Sequence, residues 1–135
     1  NSAGGSMSAP LAIYACMQFV HPTLETTCVG QVVSSSAFLL AGGTHGHRLI
    51  LPHGRVVLHA PVTEGGRGAI PDLIIEAEEI ERIRSMQEEI LAQHCGVSAE
   101  QVRKDTERKL VLTAQQAVDY GLADNIVAAS RRPDS

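Results

Sequence analysis

Gly30-Gln31-Val32-Val33-Ser34-Ser35-Ser36-Ala37-Phe38-Leu39-Leu40 sets three serines between two apolar runs. The residues after Ser34, small and aliphatic as far as Gly42-Gly43, suit a buried helix that the glycines stop. Ser34 therefore falls where a strand turns into a helix. A serine in that place is ordinarily an N-cap, its hydroxyl accepting a hydrogen bond from the first helical turn. The same place suits a nucleophile, because first-turn N–H groups lack intrahelical acceptors and can hold an oxyanion. Periodicity does not choose among the three serines or between the two roles.

Working outward, "NSAGGSM" reads as a glycine-rich turn leading into a helix over about residues 8–20, with Pro10 tolerated in the first turn. Residues 24–29 form a short β-type segment. "HRLILP" and "GRVVLHAP" read as two strands around a Pro52–Gly54 turn, with His59 near the end of the second. A loop, "TEGGRGAIP", precedes a long helix over about residues 72–94 that Gly96 stops. Its Glu/Arg-rich remainder reads as a solvated face. Ser98-x-x-Gln101 and Thr113-x-x-Gln116 are capping-box patterns, and "NIVAA" closes the chain as a strand before an expected disordered tail at 130–135. Strands alternating with helices predict an α/β layered fold in one domain over 1–129.

The 135 residues carry a net charge of −4, with 44% hydrophobic and only 3% aromatic residues. An aliphatic core follows, and neither nucleic acid nor an acidic membrane is a fitting partner. No apolar run approaches the roughly 18 residues of a transmembrane span. Cys16, Cys28 and Cys95 are odd in number and form no C-x-x-C pair, which fits reduced thiols in a cytoplasmic compartment. His45, Gly46, His47 and His53 have some ligand-like density, but no Asp, Glu or Cys joins them locally, so they read as a solvated loop rather than a metal site.

Four segments in one order resemble a known family. They are "NSAGGSMSAPLAIYACMQF" from Asn1, "GQVVSSSAFLLAGG" from Gly30, "RLILPHGRVVLHAP" from Arg48 and "DTERKLVLTAQQAVDYGLAD" from Asp105. Together they resemble the proteolytic subunit of the Clp protease, ClpP, a self-compartmentalised serine peptidase. The resemblance implies a ClpP/crotonase-like α/β fold with a long protruding handle helix. It also implies stacked heptameric rings of ClpP subunits and no metal or organic cofactor. Its implied partners are an AAA+ unfoldase of the Clp family and unfolded polypeptides as substrates. Position by position, it implies Ser34 as nucleophile and His59 as general base. The amides of Gly5 and Ser35 would form the oxyanion hole, and the backbone around Met7 and Val62 would bind substrate.

The pattern breaks at one place that bears on chemistry. The family segment D-T-E-R-D ends in the carboxylate that orients the histidine, and Lys109 occupies that position here. An aspartate beside the base selects its tautomer and stabilises the imidazolium, and in trypsin its neutralisation lowers kcat by about 10⁴. A lysine instead disfavours the charged form of a neighbouring histidine. Asp105, Glu107 and Asp124 are the candidate substitutes. Family members also carry roughly a third more chain ahead of the residue that is Asn1 here, so this chain is expected to be a fragment with exposed apolar surface. Three functions stay open: an active endopeptidase subunit, a weakly active or inactive accessory subunit of a mixed ring, and a crotonase-type acyl-CoA enzyme on a related fold.

Overall fold

The computed structural model describes residues 1–61 and 67–128. Its elements in chain order are α1 (Ser8–Phe19), β1 (Thr26–Cys28), β2 (Gln31–Val33), α2 (Ser35–Ala41), β3 (Arg48–Ile50) and β4 (Arg55–Leu58). After them come α3 (Ile70–Cys95), α4 (Ala99–Asp105), β5 (Leu110–Thr113), α5 (Ala114–Tyr120) and β6 (Asn125–Ile126). This is the α/β architecture expected from the sequence.

Six strands form two three-stranded sheets, β1-β3-β6 and β2-β4-β5. The first is wholly parallel, with Cys28 beside Ile50 and Ile50 beside Ile126. In the second, β2 and β4 are parallel while β4 and β5 are antiparallel. Ser2 adds an isolated parallel bridge to Val32 on the other side of β2. Parallel strands need crossover connections, and α2 lies between β1 and β3 in sequence as such a connection.

The central element is α2. It packs against β1 and β3 of one sheet, β2 and β4 of the other, and both α1 and α3. Six of its seven residues are buried, and its Phe38 and Leu40 join Val32, Ile50, Val56 and Leu58 in an almost purely aliphatic core. Small residues (Ser35, Ser36, Ala37, Ala41) let so many elements approach one short helix.

The long helix α3 begins at Ile70, two residues earlier than expected, because Pro71 sits in the first turn where a missing N–H costs nothing. It ends at Gly96 in the left-handed conformation (φ 71°). With 26 residues it runs about 39 Å. Its N-terminal part stands out from the body, with Ile70 74% exposed and Ile74 and Ile75 more than half exposed. Its C-terminal part is buried through Gln87, Glu88, Leu91 and His94. The expected solvated face is thus only partly solvated. Glu88 is buried and accepts hydrogen bonds from Arg84 Nε at 3.0 Å and Arg103 Nε at 2.9 Å, which ties α3 to α4.

Both expected helix caps are present. Ser98 accepts from the Gln101 N–H, and Thr113 from the Gln116 N–H. Only at Thr113 does the glutamine return a bond to complete the box, whereas Gln101 donates to Asp105 instead. Strand β5, immediately before that second cap, has no counterpart in the sequence reading.

One buried charge organises the far side of the molecule. Arg48, 2% exposed, pairs with Asp124 through Nη2–Oδ1 at 2.8 Å and Nε–Oδ2 at 2.9 Å. Its Nη1 donates to the carbonyls of Ala41, His94 and Gly121. These carbonyls belong to the C-terminal ends of α2, α3 and α5, where helix dipoles favour a cation. The guanidinium pulls the Asp124 carboxyl down to about 2, and the Arg48 and Gly46 amides assist.

Candidate active site

Strand β2 delivers Ser34 to the head of α2. Val33 pairs with Val57 of β4, and the Ser34 N–H donates to the Val57 carbonyl at 2.7 Å. The chain then reverses from strand to helix within one residue, and Ser34 takes φ 52° and ψ −110°. Among the described residues it is the only non-glycine with positive φ. Such a conformation costs on the order of 1–3 kcal/mol and persists only where its surroundings hold it.

The three serines divide the work. Ser34 stands in the N-cap position, yet its side chain accepts no capping hydrogen bond. The ordinary account of a serine in this place is therefore not the one realised. Ser36 instead locks the turn, its hydroxyl accepting from the Val33 N–H at 2.8 Å and donating to the Val33 carbonyl at 2.9 Å. Ser35 is buried, and among the described residues its hydroxyl has no partner. Its backbone N–H opens α2, where no intrahelical acceptor exists.

The N-terminal segment runs alongside β2 and brings Gly5 close to Ser34. The Ser2 N–H donates to the Gln31 carbonyl at 2.8 Å, and the Gly4 N–H to Ser2 Oγ at 3.2 Å. Gly4 adopts φ 83°, and a Cβ there would lie 2.8 Å from the Val33 carbonyl oxygen. Only glycine permits this approach. Gly5 follows at φ 153° with open space around its Cα, facing the site.

His59 directly follows β4. Its Nδ1 lies 2.8 Å from the Ala60 carbonyl oxygen. A carbonyl can only accept, so Nδ1 carries the proton and Nε2 holds the lone pair. The β4–β5 ladder pairs Val57 with Val111 and Leu58 with Leu110. His59 and Lys109 each lie one residue beyond the last pair of that ladder, and Lys109 is exposed. Asp105 is engaged elsewhere, accepting from Tyr120 Oη at 2.9 Å and Gln101 Nε2 at 2.7 Å. Asp124 belongs to Arg48, and Glu107 is exposed. Among the described residues no carboxylate is hydrogen-bonded to His59.

Gly5, Met7, Ser34 and His59 line one cleft of about 340 Å³, with Pro61 and the α3 side chains Ile80, Ile83 and Gln87. A smaller cavity of about 20 Å³, room for a single water, lies against Ser34, His59, Gln87, Glu88 and Thr106. The structure thus brings together four of the six residues singled out from the sequence, with the Ser35 amide next to Ser34. Val62 lies outside the described residues. Ile80, Ile83 and Gln87 escaped the sequence reading as site residues, although their i, i+3, i+7 spacing marks one helical face.

The remaining candidates stand apart from the cleft. His45, His47 and His53 are exposed. Burial pushes the Cys95 thiol up to about 11 and raises Cys28 as well, so neither is a poised nucleophile.

Comparison with known proteins concerns the chain as a whole. Residues 1–130 match the Clp protease family. The chain is 53% identical over 129 residues to "ATP-dependent Clp protease proteolytic subunit 4" of Rhodococcus jostii, covering 96% of this chain and 66% of that protein. It is 51% identical over 126 residues to the proteolytic subunit 1 of Corynebacterium diphtheriae, covering 93% and 60% respectively. Subunit 2 of Streptomyces coelicolor is 48% identical over all 135 residues, which is 62% of its length. The chain spans less than two thirds of the length of these relatives. With a family match over nearly its whole length, this chain belongs to the Clp protease family.

Proposed function

We propose that this chain is the catalytic part of a serine endopeptidase subunit acting on unfolded polypeptide. The observation that carries the reading is Ser34: an uncapped hydroxyl on a strained strand-to-helix turn, in one cleft with the lone-pair nitrogen of His59. Ser34 Oγ attacks the scissile carbonyl while His59 Nε2 takes its proton. The amides of Gly5 and Ser35 hold the oxyanion of the tetrahedral intermediate. Collapse breaks the C–N bond, and His59 returns the proton to the leaving amine. Water, activated by the same nitrogen, then hydrolyses the acyl-serine. Substrate backbone extends along Met7 and Val62. The Ala60 carbonyl fixes the tautomer but adds no full negative charge, so the imidazolium gains less than a triad carboxylate gives it.

The relatives' names support an ATP-dependent setting. In the reading proposed here an AAA+ unfoldase of the Clp family feeds the site and other ClpP subunits complete stacked heptameric rings in the cytoplasm. Exposed Phe19, Ile70, Ile74 and Ile75 supply apolar surface for such assembly. A second reading, an accessory subunit of weak or no activity in a mixed ring, is favoured by Lys109 standing in the sequence where the family pattern has the orienting carboxylate.

Labelling the full-length protein with a fluorophosphonate probe separates the two. Label that vanishes in Ser34→Ala supports the peptidase, whether it appears alone or only after mixing with a complete-triad paralogue. Absence of label in both samples, with mixed rings still forming, leaves the accessory role.

A further inference from the structure

One wall of the cleft is a single face of α3, on which Ile80, Ile83 and Gln87 follow one another. With Met7 and Pro61 that face is apolar except at Gln87, while Ser6 also lines the cleft with its hydroxyl paired to that of Ser8 at 3.0 Å. Gln87 is only 6% exposed and lines both the cleft and the small cavity beside it. Among the described residues its carboxamide makes no hydrogen bond. The side chain lines both cavities, and a buried amide left without partners there loses its hydration without recompense.

Apart from Ser34 and His59, the other polar side chains around the small cavity are already engaged. Arg84 donates to Glu88 at 3.0 Å, Glu88 also accepts from Arg103, and the Thr106 hydroxyl donates to the Val102 carbonyl at 2.8 Å. Their charges are paired, so the wall offers no net charge to a cationic or anionic side chain. Gln87 is left as a donor and acceptor pair at one side of an aliphatic pocket.

Building on the peptidase reading, we propose that Gln87 determines which residue is accepted on the acyl side of the scissile bond. The pocket takes an uncharged, unbranched side chain ending in a carboxamide, and so selects glutamine over its near-isostere methionine. Two carboxamides meet through one donor–acceptor pair in each direction, while the four methylene-bearing walls accommodate the stem. One to two neutral hydrogen bonds correspond to a preference of about tenfold.

The test uses the full-length protein and peptides that differ only at that position, carrying Gln, Met, Leu, Lys or Glu. Two readouts are taken: kcat/KM on the fluorogenic amides, and calorimetric binding of the corresponding N-acyl tripeptide acids. Glutamine should lead methionine about tenfold, and Gln87→Met, which preserves volume, should reverse that order. Leadership by Met or Leu in the wild type, or an unchanged order in Gln87→Met, overturns the proposal. Ser34-dependent cleavage without any glutamine preference sinks Gln87 as the selector and spares the peptidase reading. A glutamine preference in binding alone, with no Ser34-dependent turnover, upholds the pocket and removes the activity. Failure of every peptide to bind or be cleaved overturns both.

Discussion

The two ends of α2 are built on opposite terms. At its C-terminal end the carbonyls of Leu40, Ala41 and Gly42 each accept a side-chain donor, from Thr26, Arg48 and Gln18 respectively. Those donors come from β1, β3 and α1, so three elements hold that end at once. At the N-terminal end Ser34 is strained and uncapped, among the described residues the Ser35 hydroxyl has no partner, and the Ser35 amide lacks an intrahelical acceptor. A short helix fastened firmly at one end can keep the other in a conformation it would not choose. Satisfied groups maintain the fold, and unsatisfied ones are concentrated where a substrate would satisfy them.

The strongest way to test the open end is Lys109→Asp. If Lys109 occupies the place of an orienting carboxylate, the substitution should raise Ser34-dependent kcat/KM by about 10²- to 10⁴-fold, the range set by removing such a group from trypsin. An unchanged rate would mean that the Ala60 carbonyl already suffices.

The fastened end is best attacked through Asp124→Asn. Removing the counter-ion leaves Arg48 charged and buried, and the expected loss is about 3–5 kcal/mol of unfolding free energy. Urea melts measure it, and a loss under 1 kcal/mol would show that the three carbonyls alone carry the guanidinium.

Acid should loosen the same end first. The Asp124 carboxyl sits at about 2 in the folded chain against 3.8 ordinarily, so its stabilisation is complete above about pH 4 and disappears as pH falls toward 2. The effect is on the order of 1–2 kcal/mol once solvent screening is allowed for. His94 adds a shallower decline beginning near 6.5, because burial first, then Arg48 and His45, hold its folded-state value below that. Melting temperatures across pH 2–8 should show both steps in the wild type, with the lower one absent in Asp124→Asn.

The smallest effects return to the strained end and run the other way. Ser34→Gly relieves the positive φ, and Ser35→Ala removes an orphaned hydroxyl. Each should stabilise the chain by about 1 kcal/mol. Ser34→Gly loses all probe labelling in doing so, whereas Ser35→Ala keeps its amide and its labelling. A destabilised Ser34→Gly would show that the turn is not strained.

Much of this was legible in the residues. The Val-Val-Ser-Ser turn, the glycines after α2, the caps at Ser98 and Thr113 and the length of α3 all follow from local pattern. Strand β5 did not, because Leu110-Val111-Leu112 lacks alternation and its partner lies more than fifty residues earlier, so the ladder is long-range. The Ala60 carbonyl could not be foreseen as the partner of Nδ1, since every residue carries one. Arg48 was passed over because a single arginine in a strand gives no sign that three helices end around it. Glu88 and Gln87 were hidden in a charged helix that packs against α2 and α4, which lie far from it in the sequence or give no local sign of the contact.

The Arg48 clamp also bears on when the protein can become itself. Its counter-ion lies 76 residues further along the chain. A ribosome that has delivered α2, α3 and even most of α5 has still not delivered Asp124, and until then docking those helices would bury an unpaired cation. The first two thirds of the sequence should therefore stay open to protease while tethered, closing only once residue 124 has cleared the exit tunnel. Arrested nascent chains of stepped length, probed by brief proteolysis, should show one late jump in protection, and early protection of α2 would contradict it.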